Sequence, residues 1–267
     1  MSTALAFIKR DLSRDLSYRL SFVMQLGGIF FNIAIFYFMA RLFGSAVAPQ
    51  LETYGGDYFS FVLIGLAFTG FMGLSLSNFA ESIREGQVMG TLEMMLLSPT
   101  HLSSILISSS LWAYIQTFFR VIIYLVVGVL VFGANLNNSN YGAALLILVL
   151  SILSFSGIGI LSAAVVLLVK KGDPVAWILG SASSLLSGVY YPVSVLPAWL
   201  EPFSKVLPLT YALDSIRMAM LQGSSLGELK NDIFVLVGFV IVLTPLSFLV
   251  FRAALKRAKK EGSLIQY

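Results

Sequence analysis

The stretch Glu85-Gly86-Gln87-Val88-Met89-Gly90-Thr91-Leu92-Glu93-Met94-Met95-Leu96-Leu97-Ser98-Pro99 is flanked by two apolar runs, residues 58–80 and 105–132. A helix rises about 1.5 Å per residue and the hydrocarbon core of a bilayer is about 30 Å thick, so roughly 20 apolar residues cross it. Both runs are that long. The segment between them therefore stands in water at one side of a membrane, and this reading sets the fold class, an all-α membrane protein. Val88, Leu92, Met95 and Leu96 recur at i, i+4, i+7 and i+8, which gives a helix one apolar face and leaves Glu85 and Glu93 to water or a partner. Ser98 suits the cap of the next helix and Pro99 its first turn. Such a helix reads two ways: it rests on the membrane surface, or it is a handle for something outside the bilayer.

Composition agrees. Hydrophobic residues make up 58% of the chain and charged residues 11%, and the mean hydropathy of +0.89 excludes a soluble globular domain. Further apolar runs at 21–43, 141–169, 174–191 and 231–251 bring the expected spans to six, within a transmembrane domain of residues 21–251. The run at 174–191 is the shortest, and Gly188, Pro192 and Pro197 break its end. Residues 1–20 place Leu5, Ile8, Leu12 and Leu16 at helical spacing among Lys9, Arg10, Arg14 and Arg19, the pattern of an interfacial helix. A secretory signal is the alternative, because Ala46-Val47-Ala48 resembles a cleavage site. Residues 21–43 outrun a signal's ~7 to 15 apolar residues, and Pro49 would follow the cut, so this span is expected to stay attached.

The cations orient the chain. Residues 1–20, the 81–104 segment, Lys170 with Lys171, and the basic tail 252–267 all fall on one side of six alternating helices, whereas 44–57 and 133–140 carry no Lys or Arg. That side is expected to be cytoplasmic, with both termini inside and the protein multi-pass in the plasma (cytoplasmic) membrane. The net charge of +4 thus reads as topology rather than as contact with nucleic acid. Small residues recur every fourth position at Gly65, Thr69, Gly73 and Ser77, and again at Gly180, Ser184 and Gly188. Such ridges serve close helix packing or line a path.

Several chemistries are excluded. Without cysteine there is no disulfide or thiolate site. No Asp or Glu lies deep inside the six runs, and the single His, His101, sits at the cytoplasmic edge. A proton-coupled carrier needs a titratable group within the membrane. A metalloprotease needs clustered ligands, and a serine protease needs a base beside its nucleophile. No metal site, cofactor or catalytic residue is expected. Nor does any Gly-Lys-Ser/Thr occur, so ATP, if used, is bound by another polypeptide. Arg120 is the one charge deep in an apolar run: it faces a polar interior, or it snorkels from a tilted helix.

Residues 192–230 are too apolar for a free loop. Pro192, Pro197, Pro202 and Pro208 cut them into short pieces, and Trp199, Phe203 and Tyr211 are aromatics that favour the interface. The segment caps the bundle, or it also gates it.

Two stretches carry a resemblance. Glu85, Gly90-Thr91-Leu92-Glu93, Leu96-Leu97 and Ser98-Pro99 look like the signature after the second span of type-2 class ABC exporter permeases. Gly188, Tyr191-Pro192, Leu196-Pro197, Trp199-Leu200, Pro208-Leu209-Thr210-Tyr211 and Arg217 resemble that family's hairpin between spans five and six. The likeness covers essentially the whole chain, with Gly86, Met94 and Met95 unusual in detail. It implies six spans, a cytoplasmic coupling helix within 81–104 that docks on a separate ABC ATPase, and a re-entrant hairpin, 192–230, as outer gate. Glu85, Gly90, Thr91, Leu92, Glu93, Ser98 and Pro99 are then the coupling residues, and Tyr191, Pro192, Pro197, Trp199, Pro208, Tyr211 and Arg217 the hairpin residues. It also implies a homodimer in the lipid bilayer, ATP and Mg held by the partner subunit, and export of drugs, lipids or lipid-linked glycans. The largely uncharged spans point toward hydrophobic or amphipathic cargo. A channel or scaffold that works without an ATPase is the rival.

Overall fold

The computed structural model describes Leu12 and residues 19–90, 102–169 and 172–260. Every element among them is helical: α1 (Arg19–Val47), a 3-10 turn (Ala48–Tyr54), α2 (Tyr58–Val88), α3 (Leu102–Leu130), α4 (Tyr141–Val169), α5 (Pro174–Leu186), α6 (Glu201–Ser204), α7 (Pro208–Arg217) and α8 (Lys230–Lys260). A 3-10 turn at Val193–Val195 precedes α6, and a π-type turn, Met218–Gln222, extends α7.

Five of the described helices are long and apolar enough to cross a membrane: α1, α2, α3, α4 and α8. The expected span at 174–191 is shorter than read from the sequence. α5 has 13 residues, a rise of only about 20 Å, and the chain leaves the helix at Ser187 before Gly188 takes a φ of +76°. The second span is longer than expected. α2 continues through residues 81–88, because Phe79, Ile83 and Gln87 keep one buried face while Glu81, Arg84 and Glu85 stand exposed on the other. Likewise α3 begins at Leu102, so both described ends of the 81–104 segment belong to the flanking helices.

α2 is the central post. It packs on α3, α4 and α1, and α4 packs in turn on α8. Backbone contact between helices is made at glycine: a Cβ on Gly159 would fall 1.9 Å from the Ser75 carbonyl, one on Gly157 2.9 Å from Leu243 Cβ, and one on Gly128 2.2 Å from Leu63 Cδ2. With no hydrophobic force between helices in lipid, this close approach is what dispersion and packing can use. The ridge of the sequence reading is only partly such a seam, since Gly73 meets nothing within 4 Å and Thr69 and Ser77 turn their hydroxyls back to the Gly65 and Gly73 carbonyls.

Two of the apolar cores along α2 are the largest. One, over the middle of α2, joins Phe68, Phe71 and Met72 to Leu148 of α4 and to Leu209, Leu213 and Ile216 of α7. The other, toward Glu85, gathers Phe79 and Ile83 with Ile160 and Leu167 of α4 and Phe251 of α8. Segment 192–230 thus enters the bundle as far as Phe71, thirteen residues below the start of α2.

Candidate functional site

Arg217 is the last residue of α7 and is 2% exposed. Its guanidinium makes three charge-assisted bonds to backbone: Nε donates to Phe61 O at 3.1 Å, Nη1 to Gly188 O at 2.7 Å and Nη2 to Val189 O at 2.8 Å. Its Cζ lies 3.5 Å from the centroid of the Phe61 ring. A buried cation normally requires a counter-charge, but a planar fork that stays protonated can be satisfied by carbonyl dipoles and an aromatic face. Gly188 and Val189 follow the broken end of α5, where helical carbonyls lack partners. One side chain therefore ties α7 and the stretch after α5 to the second turn of α2.

The clamp closes because residue 65 is glycine. A Cβ there would stand 2.4 Å from Val189 O and 2.5 Å from Arg217 Nη2. Around the clamp runs a polar chain across four elements. Tyr54 donates to Asp214 of α7, and Ser215 donates to Asp232 in the first turn of α8 at 2.9 Å. Burial first, then the neighbouring Asp214 carboxylate, push the Tyr54 phenol well above its ordinary value, so it stays a donor. Asp57 caps α2 by accepting from Phe59 N and Ser60 N, and Ser60 Oγ accepts from Asn135 N at 3.0 Å. A polar cavity of about 310 Å³ opens beside these groups, bounded by Gln50, Tyr54, Ser187, Thr210, Asp214 and Asp232.

The residues expected from sequence take different places. Pro208 opens α7 and is buried, Pro192 is buried ahead of the 3-10 turn, and Tyr191 and Tyr211 donate to the Leu185 and Lys205 carbonyls as internal staples. Pro197 is exposed, its carbonyl accepting from Leu200 N at 2.8 Å, and Trp199 is 70% exposed on the surface. Arg120 is half-buried on α3, one turn from Tyr124, and its Nε has no hydrogen-bond partner. Gly65 entered the sequence reading only as a member of a small-residue ridge, and Tyr54, Asp214, Ser215 and Asp232 were not singled out. Acids bordering apolar segments were a usable signal for Asp214 and Asp232; nothing marked Tyr54.

At the other end, Glu85 lies exposed in the last turn of α2, which stops as Gly90 takes a φ of +66°. Gly90 N donates to Gln87 O at 3.2 Å and Met89 N to Glu85 O at 2.9 Å, a glycine stop. Thr91, Leu92, Glu93, Ser98, Pro99 and His101 lie outside the described residues, as do Lys170, Lys171, the 261–267 end of the tail and, save for Leu12, Arg19 and Leu20, the expected interfacial helix.

Over residues 6–221, most of its length, the sequence matches the family described as ABC-2 type transporter. The chain belongs to that family. This ABC-2 chain is also 36% identical over 80 residues to ABC transporter G family member 20 of Dictyostelium discoideum, a stretch covering 30% of the chain and 10% of that protein. The match thus spans about a tenth of the length of the curated relative. The family and the five long apolar helices make this a multi-pass membrane protein of the transporter class.

Proposed function

We propose that the chain is the transmembrane subunit of an ATP-driven exporter, powered by a separate ABC ATPase that binds ATP and Mg. One observation carries the reading. The exposed Glu85 and the clamped Phe61 are 24 positions apart on a single uninterrupted helix, so roughly 36 Å of rigid rod joins the two candidate sites. Force applied at the Glu85 end reaches the hairpin without a hinge. The apolar core around Ile83 spreads the same force into α4 and α8.

In this reading six helices cross the plasma membrane, α5 being the short sixth, with both termini cytoplasmic. Residues 85–99 form the coupling segment on the ATPase, Glu85, Thr91 and Glu93 making its contacts. Two copies form a homodimer, and ATP-driven closure of the ATPase pair shifts both α2 rods and the hairpins that cap them. The hairpin, clamped through Arg217, moves as a gate for a hydrophobic or amphipathic cargo.

The test is co-purification of the tagged chain with its candidate ATPase, wild type against Glu93→Arg, with ATP hydrolysis assayed in lipid. Loss of association or of coupled hydrolysis in a folded Glu93→Arg protein supports the reading. An ATPase that ignores the wild-type chain overturns it and leaves a channel or scaffold.

A further inference from the structure

α3 and α4 are joined by only ten residues, 131–140, yet each packs on α2, and they meet one another at the Tyr114 and Ser156 hydroxyls, 2.9 Å apart. Between them runs an apolar cleft of about 620 Å³. Ile122 and Val126 belong to one wall, Leu145 and Leu148 to the other, and Phe68 and Met220 to the floor. On α3 the lining extends from Phe118 to Leu130, a rise of about 18 Å, close to the ~15 Å of one leaflet.

The cleft is held open by its own turn. Asn140 N donates to Ala219 O at 2.8 Å, Ser139 Oγ to Met220 O at 2.7 Å and Asn140 Nδ2 to Ser224 O at 3.1 Å. The Asn138 carbonyl also sits 2.3 Å from where a Cβ on Gly223 would be. The turn is pinned to the π-type turn, and α3 and α4 are seated on α2 at Gly128 and Gly159, so the walls are held apart along the cleft.

Size selects the occupant. A liquid water takes roughly 30 Å³ and a methylene about as much, so the cleft holds on the order of 20 methylene-sized units, one long acyl chain. A helix about 10 Å across and equally long would need roughly 1,400 Å³, more than twice the space. The lining is apolar up to its rim, where Asn137 and Tyr141 offer an amide and a phenol; among the described residues no charged side chain lines it, so no ionic headgroup is selected.

We propose that the cleft between α3 and α4 is a binding site for one acyl chain of a membrane phospholipid, whose ester region meets Asn137 and Tyr141. The site is independent of the coupling and gating scheme and of which way the chain faces.

The test reconstitutes the full chain in nanodiscs of phosphatidylcholine bearing a diazirine midway along one acyl chain, irradiates it, and maps labelled residues by mass spectrometry. The exposed face of α1, with Phe31, Ile35 and Phe38, reports ordinary lipid contact. Residues 118–130 and 141–148 are expected to label above that background. Val126→Trp fills the cleft from a position already 46% exposed, and should lower cleft labelling roughly tenfold, the loss expected when about two methylenes are displaced. Leu145→Trp on the facing wall should do the same, and Ile35→Trp should not. Cleft labelling no higher than that of α1, or unmoved by both fillers in folded protein, overturns the proposal.

Discussion

Arg217 Nη2 lies 2.5 Å from where a Cβ on Gly65 would be, so the end of α7 is clamped onto α2 through a space that exists only while residue 65 has no side chain. The clamp bonds to three carbonyls and faces an aromatic ring, while the Asp214 carboxylate favours its charge from nearby. A single charge thereby organises the junction of α2, α5 and α7. It also makes the junction fragile to changes that keep the charge.

Arg217→Lys is the sharpest such change. An ammonium on a flexible stem reaches the position of one guanidinium nitrogen and leaves two carbonyls buried and unpaired, at about 1–3 kcal/mol each. The expected outcome is a loss of at least about 2 kcal/mol in stability, with the protein still inserted. Thermal unfolding of the purified chain in detergent, followed by its native tryptophans, checks this; an unchanged midpoint would show that the carbonyls do not depend on the fork.

Three glycines should behave differently on conversion to alanine. Gly159→Ala drives a Cβ to 1.9 Å from the Ser75 backbone and Gly65→Ala drives one into Val189 and Arg217, so each should cost about 1–3 kcal/mol. Gly73→Ala meets open space and should be neutral or stabilising by up to about 1 kcal/mol. The comparison is read from unfolding midpoints, and equal effects at Gly73 and Gly159 would mean that the α2–α4 contact is not the seam described.

The same glycines show what a sequence can carry. Spans were legible because hydrocarbon imposes a length and forbids charge, and both constraints are written in residue type. The breaks within 192–230 were legible through its prolines. Gly73 and Gly159 are the same letter, and only the neighbouring backbone tells them apart. The clamp was hidden for a related reason: Arg217 was singled out, but its partners are the carbonyls of Phe61, Gly188 and Val189, which no side chain announces. The break at Gly188 was legible, but the apolar run continues to Tyr191, so it overstates α5, which ends at Leu186 before Gly188 turns.

Tyr54→Phe should alter the alkaline limb of stability. The folded phenol ionises above its unfolded value of 10.0, so the unfolded chain loses this proton first and stability falls as pH rises past about 10. Below that the hydroxyl contributes one hydrogen bond to a carboxylate, about 1.5–3 kcal/mol. Wild type should therefore unfold at higher temperature than Tyr54→Phe at pH 8, and the gap should narrow as pH climbs beyond 10. Parallel curves across that range would show that Tyr54 does not hold its proton against Asp214.

The rigid-rod reading of α2 makes a geometric prediction that the cysteine-free sequence suits well. Cysteines at Glu81 and Ser194, both exposed, can carry spin labels near the two ends of the proposed lever and leave Glu85 intact. Labelled chain diluted with unlabelled chain reports the distance within one copy. If force passes along α2 to the clamped hairpin, that distance should stay constant when the partner ATPase and ATP-Mg are added, while labels paired across two copies separate or approach. Arg217→Met keeps the bulk and removes all three bonds to backbone, so in that background the 81–194 distance should broaden and hydrolysis should continue without transport. A distance that shifts in the wild type during turnover would place a hinge between Glu81 and the hairpin, and the lever would fail even if the ATPase binds.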